Sequence, residues 1–353
     1  MNINSINSVN CGNPPLIQNR GNVSCPYFSA APKTTSSNEK SLNKKVLWGT
    51  VAIGSAIALA LIGKKQIKSF KFQMDVKKNY NNIWQGILKS FDSSKNKIQI
   101  KKPELKLISG KNNQDLGQYI VDKNEIGINL DWYMTDKYIS YNKQKDCFSA
   151  INSRVLFSKE EIEKFKRNGY IDDTWTIQKL TDKEKMLAIV STLVHEQRHC
   201  VQNHIILNDI DYGPEYLLKE LAKKQRKLKP GLSEEESIKK AKENCTYLAN
   251  FNSKGGFKNL ELPSTVIYKN QRISFTAKEL ADATFNYASD GKQYDFNLLE
   301  VDANSFALAY LNGHPELQKG CSKEVVSMIL RAGKLQSMKN FTGYMDSNKK
   351  IAV

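Results

Sequence analysis

The chain has 353 residues, 40% of them apolar and 25% charged, with 53 Lys+Arg against 36 Asp+Glu for a formal charge of +17. That length and apolar content supply one large domain or two smaller ones and exclude wholesale disorder. The six cysteines show neither C-x-x-C nor dense spacing, which excludes a disulfide scaffold, and the lysines run through every segment without a nucleic-acid motif, so no nucleic-acid partner is expected.

Residues 1–45 are rich in Asn, Ser and Pro and lack apolar periodicity, the composition of a disordered N-terminal tail. Val46–Gly63 carries no charged side chain and lies between Lys44-Lys45 and Lys64-Lys65. Its length suits a bilayer core and exceeds a signal-peptide h-region. The expectation is a single-pass transmembrane helix at 46–63, with the bilayer as partner. Basic residues on both flanks leave the side of the membrane open. Residues 64–95 follow as a basic, helical juxtamembrane segment with Phe70, Phe72, Met74, Ile83, Trp84 and Ile87, and its lysines favour anionic lipid.

Residues 96–345 are expected to form the main domain, of class α+β. Between Lys97 and Leu156, short alternating runs such as Leu105–Ile108, Tyr119–Val121 and Ile126–Leu130 are separated by Gly, Asn and Asp, which predicts a small antiparallel sheet. Ile126–Asp131 is the expected edge strand, placed to pair with an extended substrate backbone.

Three of the four histidines then fall together, and His195-Glu196-Gln197-Arg198-His199 reads H-E-x-x-H. Thr181 with Glu184 is a capping-box signature that starts a helix near Asp182. Met186, Leu187, Val190, Leu193, Val194 and Val201 recur at helical spacing and bury one side of it. Residues i and i+4 of a helix share a face, so His195 and His199 can offer two imidazoles to one metal ion. Glu196 sits about 100° round the helix, near enough to act as general base on a water without being a ligand. The spacing points to a zinc hydrolase.

Residues 212–292 read as an insertion. Glu215 to Lys227 is one helix, Lys229-Pro230-Gly231 a turn, and Ser233 with Glu236 caps a second helix. A short strand pair and a helix from Ala277 to Ala288 follow. Asn297–Leu311 is the next helix, opened near Asp295 and closed by Asn312-Gly313 with Pro315 beyond. Lys323 to Lys339 forms a last one.

A catalytic zinc takes three protein ligands and leaves a fourth position open. His204 lies about half a turn out of phase with His195 on a continuous helix. Glu220 is followed one turn on by Lys224, which cannot accept an imidazole N–H. Glu300 shares a helix face with Asn304, so Glu300 can ligate while Asn304 holds an imidazole by its second nitrogen. Asp302 projects elsewhere, towards a natural partner in Arg198. Cys200 is turned about 100° from His199 and is read as packing.

H-E-x-x-H with a later helical Glu300, Asp302, Ala303 and Asn304, followed by Phe306 and Ala307, resembles the gluzincins, and in particular the small minigluzincin metallopeptidases. That group includes membrane-bound heat-shock and prenyl-protein-processing peptidases and phage-type peptidases that cleave repressors. Arg198 and Gln202 complete an H-E-x-R-H-x-x-Q form similar to uncharacterised bacterial relatives. The resemblance covers two short blocks. It implies a zincin-like domain with zinc on His195, His199 and Glu300, Glu196 as base, and Asn304 as support. The separation of His199 from Glu300 is longer than in compact members, which calls for an insertion folded away between the helices.

The sequence thus predicts a membrane-anchored zinc metallopeptidase acting on a protein or peptide. Tyr294, Tyr310 and His314 are its available oxyanion donors. Its rivals are a zincin fold without catalysis, used as a tethered binding protein, and a structural protein or adhesin working through its basic surface.

Overall fold

A long buried helix organises the structure. The computed structural model describes residues 54–92, 100–109, 116–142, 144, 147–148, 156–251, 256–268, 271–285 and 297–330. The expected disordered tail lies outside these residues. The architecture is α+β, with nine α-helices and eight short strands among the described residues, and a further helical segment, α10, at 323–330.

The organising helix is α4, Asp182–Asn208. Its start follows from a complete capping box: the Glu184 amide donates to Thr181 Oγ1 at 3.2 Å and the Thr181 amide to Glu184 Oε2 at 2.8 Å. Apolar residues such as Leu187, Ile189, Leu193, Val194, Val201 and Ile205 are buried round the whole circumference, so α4 meets protein on all sides.

One of its neighbours is α1, Gly54–Asp92. Phe72, Val76, Tyr80, Ile83, Trp84 and Ile87 recur at helical spacing, are buried, and join the same core as α4. Lys68 pairs with Asp182 at 2.7 Å, Phe72 stacks on Tyr133 with ring centres 4.1 Å apart, and Gln197 Nε2 donates to the Tyr80 carbonyl at 3.0 Å. This overturns the expected transmembrane helix and the localisation built on it. Among the described residues no helix is long and apolar enough to cross a membrane. Residues 46–53 lie outside the description, and Gly54–Gly63 opens a helix that runs straight on through Lys64 and Lys65. An apolar run in sequence does not distinguish a span from the first turns of a longer helix, and the apolar stripe of 72–87 packs on α4 rather than lying at a lipid surface.

The single small antiparallel sheet expected over Lys97–Leu156 is corrected to two separate sheets, one of them mixed, and the strand pair expected further on forms a third. Strands β1 (Glu104–Ile108), β2 (Gly117–Ile120) and β3 (Glu125–Asn129) form a sheet in the order β1-β3-β2, with β1 parallel and β2 antiparallel to β3. The expected edge strand around Ile126 is therefore the central one, and Ile126 and Ile128 are wholly buried. β2 is the edge strand that lies against α4. A Cβ on Gly117 would stand 2.7 Å from Thr192 Cγ2 and 2.9 Å from Ile128 Cδ1, so glycine permits this approach.

After α2 (Leu130–Met134), strands β4 (Tyr138–Asn142), β5 (Cys147–Phe148) and β6 (Thr176–Lys179) make a second, antiparallel sheet, with α3 (Lys159–Arg167) beside it. Beyond α4, α5 (Pro214–Leu228) and α6 (Glu234–Asn244) form a helical hairpin whose second arm starts in a Ser233–Glu236 capping box. After α7 (Thr246–Ala249), β7 (Glu261–Tyr268) and β8 (Gln271–Thr276) pair as a hairpin and lead into α8 (Ala277–Phe285). Helix α9, Leu298–Gly313, closes over α4; its cap is Asn297, whose side chain accepts from the Leu299 amide at 2.9 Å, rather than Asp295.

Candidate metal centre

The middle of α4 and the first turn of α9 meet at three side chains. His195 and His199 project from one face of α4, their rings nearly perpendicular at 85° and their Nε2 atoms 2.9 Å apart. Glu300 enters from α9 and spans both rings, with Oε2 3.2 Å from His195 Nε2 and Oε1 3.3 Å from His199 Nε2. Among the described residues, these three form the group of His, Cys, Asp or Glu side chains close enough to hold one metal ion. A tetrahedral zinc with ligand bonds of 2.0–2.1 Å requires donors roughly 3.3 Å apart, so the separations and the two-imidazole, one-carboxylate set both fit such an ion. Glu300 is 3% exposed and His199 11%, whereas His195 is 15%, which makes His195 the most solvent-accessible of the three.

The electrostatics reflect one shared charge cluster. Burial alone would lower the His199 pKa, but the Glu300 and Glu196 carboxylates and a bond to Gln202 overcome it and raise the pKa from 6.5 to about 9. Burial likewise opposes ionisation of Glu300, yet the two imidazoles hold its carboxyl well below the ordinary value. Glu196 behaves differently. Burial dominates and pushes its pKa up, against the histidines and a Tyr119 backbone hydrogen bond from β2, while neighbouring Glu300 adds to the rise. A buried carboxyl with increased proton affinity beside two imidazoles is suited to taking and returning a proton.

Behind His199 lies a fully buried polar network. His199 Nδ1 meets Gln202 Oε1 at 2.8 Å. Gln202 Nε2 donates to the Leu299 carbonyl at 2.9 Å and to Asp302 Oδ2 at 2.8 Å. Arg198 Nε and Nη2 grip the two Asp302 oxygens at 2.7 and 3.0 Å, and Nη2 also donates to the Pro263 carbonyl at 2.6 Å. Ser264 Oγ reaches Asp302 Oδ1 at 2.6 Å, and the Arg198 guanidinium lies over the Phe306 ring at 4.5 Å. The expected pairing of Arg198 with Asp302 is thus present. Asn304 was expected to hold an imidazole by its second nitrogen; for His199 that partner is Gln202, and Asn304 sits half-buried one turn beyond Glu300.

The other sequence candidates fall elsewhere. His204 Nδ1 donates to the Cys200 carbonyl at 2.9 Å and its Nε2 accepts from the Lys101 amide at 3.3 Å, so both nitrogens are engaged away from the cluster. Glu220 pairs with Lys223 on α5. Burial raises the Cys200 thiol pKa to about 12, which keeps it inert. Tyr310 and His314 stack on each other at 4.1 Å and, at 1.5 Å per residue, stand roughly 15 Å or more along α9 from Glu300, too far to meet an oxyanion there. Tyr294 lies outside the described residues.

Two contributors, Ser264 and the Tyr119 backbone, have no signal in the sequence, because only the fold brings β7 and β2 to this point. Gln202, by contrast, appears there as part of the H-E-x-R-H-x-x-Q form, three residues after His199 on the same helix face.

Fold and site together define an α+β protein carrying a buried two-histidine, one-carboxylate donor group. No protein family, curated protein or solved structure matches the chain.

Proposed function

We propose that the chain is a zinc-dependent metallopeptidase of gluzincin type. The observation that carries this reading is the convergence of His195 Nε2, His199 Nε2 and the Glu300 carboxylate at 2.9–3.3 Å, with Glu196 next to them. Zinc, when bound there, supplies Lewis acidity that lowers the pKa of a coordinated water toward ~7 and polarises a carbonyl.

The remaining chemistry belongs to the chain. His195, His199 and Glu300 would hold the ion, and the burial of His199 and Glu300 limits the water around them. Glu196, tuned upward by burial, accepts a proton from the attacking water and passes it to the leaving amine nitrogen. β2 favours a peptide as substrate. It is an edge strand whose Tyr119 backbone meets Glu196, so an extended polypeptide laid along it brings a carbonyl towards the base.

The test is hydrolysis of an unfolded protein by zinc-loaded chain and by Glu196→Gln. The reading predicts that wild type cleaves, that Glu196→Gln loses at least ~100-fold in rate, and that both hold zinc equally. Zinc retention without cleavage by wild type would turn the reading into a metal-binding protein that does no hydrolysis.

A further inference from the structure

We infer that Gln202 is a positioning residue that fixes which nitrogen of His199 carries the proton and thereby presents the Nε2 lone pair to the metal. The inference rests on the reading of the His195, His199 and Glu300 cluster as a metal centre. It concerns a side chain that does not itself touch the ion.

Hydrogen-bond capacity fixes the orientation of the Gln202 amide. Gln202 is wholly buried and meets Leu299 O, Asp302 Oδ2 and His199 Nδ1. A backbone carbonyl can only accept, and Asp302, which takes hydrogen bonds from Arg198 on both oxygens and from Ser264, accepts throughout. The amide NH2 must therefore face these two acceptors, which uses both of its hydrogens. That leaves the amide oxygen towards His199. Because oxygen accepts, Nδ1 must supply the hydrogen.

A neutral imidazole protonated on Nδ1 has its lone pair on Nε2. Nε2 is the atom that lies 2.9 Å from His195 Nε2 and 3.3 Å from Glu300 Oε1. The opposite tautomer would direct an N–H at the place where the ion belongs. Without Gln202, Nε2–H could donate to Glu300, and the metal would have to displace that arrangement.

The chain of support extends to β7. Arg198 ties Asp302 to the Pro263 carbonyl, and Ser264 adds a second tie, so the hairpin holds the acceptor that orients the amide. Helix α9 thus acts twice: Glu300 supplies a ligand, while Leu299 O and Asp302 orient the group that prepares another ligand on α4.

The experiment is histidine ¹⁵N NMR of the full chain, with zinc affinity measured by chelator competition. In metal-free wild type, at a pH where the ring is neutral, His199 should carry its proton on Nδ1, and a hydrogen-bonded Nδ1–H should persist with zinc. Gln202→Leu should populate the Nε2–H form and lose ~10–100-fold in zinc affinity. Ser264→Ala, which touches the same carboxylate without touching the amide, should lower stability and leave the tautomer in place. A wild-type His199 protonated on Nε2 would overturn the inference, as would wild-type zinc affinity in Gln202→Leu. If Gln202→Leu does not fold, the wild-type spectrum still decides. If the chain takes up no zinc, the metallopeptidase reading fails while the metal-free tautomer still reports on Gln202.

Discussion

Arg198 and Asp302 stand 104 residues apart in the chain and meet through two hydrogen bonds of 2.7 and 3.0 Å, with the Asp302 carboxylate entirely shielded from solvent. This ion pair fastens α9 to α4 immediately beside the His195, His199 and Glu300 cluster, one residue from His199 and two from Glu300, so site assembly and helix docking are a single event. Removing one partner strands a charge in the core. Arg198→Met should cost about 3–5 kcal/mol in urea unfolding. The double variant Arg198→Met/Asp302→Leu should lose less than the sum of the single variants, since no buried charge remains. Additive losses would show that the two residues act independently.

The geometry separates ligands from look-alike residues. His199→Ala and Glu300→Gln should each lower zinc affinity by more than the ~10–100-fold typical of removing a supporting residue. His204→Ala should keep one zinc per chain and yet lose about 1 kcal/mol, because it removes the acceptor of the part-buried Lys101 amide. Zinc analysis together with thermal unfolding distinguishes the two patterns, and loss of zinc from His204→Ala would reassign the site.

Protons compete with the metal. In the metal-free protein the His199 pKa is about 9 against an ordinary 6.5, which adds stability that is complete below pH 6.5 and disappears as pH climbs to about 9. Glu300, depressed below 4.5, adds stability that is complete above that value and is lost as pH falls through its folded pKa. Burial-raised Glu196 also loses stability as pH rises. For this cluster the metal-free optimum should therefore lie between pH 4.5 and 6.5. An ion bound at His199 would have to displace its proton, so zinc affinity should rise ~tenfold per pH unit from pH ~7 and level off near 9. Melting curves of chelator-treated protein and zinc titrations across this range check both signs. Stability of the metal-free chain that increases between pH 6.5 and 9 would contradict the assignment.

Gly117 sets the distance between β2 and α4. A valine there would drive its Cβ into Thr192 and Ile128, so Gly117→Val should cost about 1–3 kcal/mol and shift Tyr119 away from Glu196. The rate of peptide hydrolysis should fall further than zinc affinity does. Equal losses in both would mean that the substitution damages the helix rather than the strand.

Features encoded by neighbours in sequence were legible, and features created by long-range contact were not. The Thr181–Glu184 and Ser233–Glu236 boxes mark helix starts because each is closed within four residues. The paired histidines follow from one helical turn, and Arg198 with Asp302 from opposite charges on two predicted helices. By contrast, the parallel register of β1 on β3 depends on a connection that no local pattern records, so the alternation at Ile126–Asp131 suits an edge strand as well as the central one it forms. Val46–Gly63 was read as a span because apolar run length is similar for a bilayer crossing and for a helix that docks further along, and the lysines beyond it gave no sign that Phe72–Ile87 would pack on α4. Gln202 was visible as a residue, but its role required knowing that Asp302 and the Leu299 carbonyl face its amide.

If the cluster is a metal centre, one divalent ion sits between α4 and α9 on His195, His199 and Glu300. Anomalous diffraction at the zinc edge from crystals of the zinc-loaded chain locates that ion. A single strong peak is expected within about 2.0–2.3 Å of His195 Nε2, His199 Nε2 and a Glu300 carboxylate oxygen. A peak elsewhere, or no peak at saturating zinc, would contradict it.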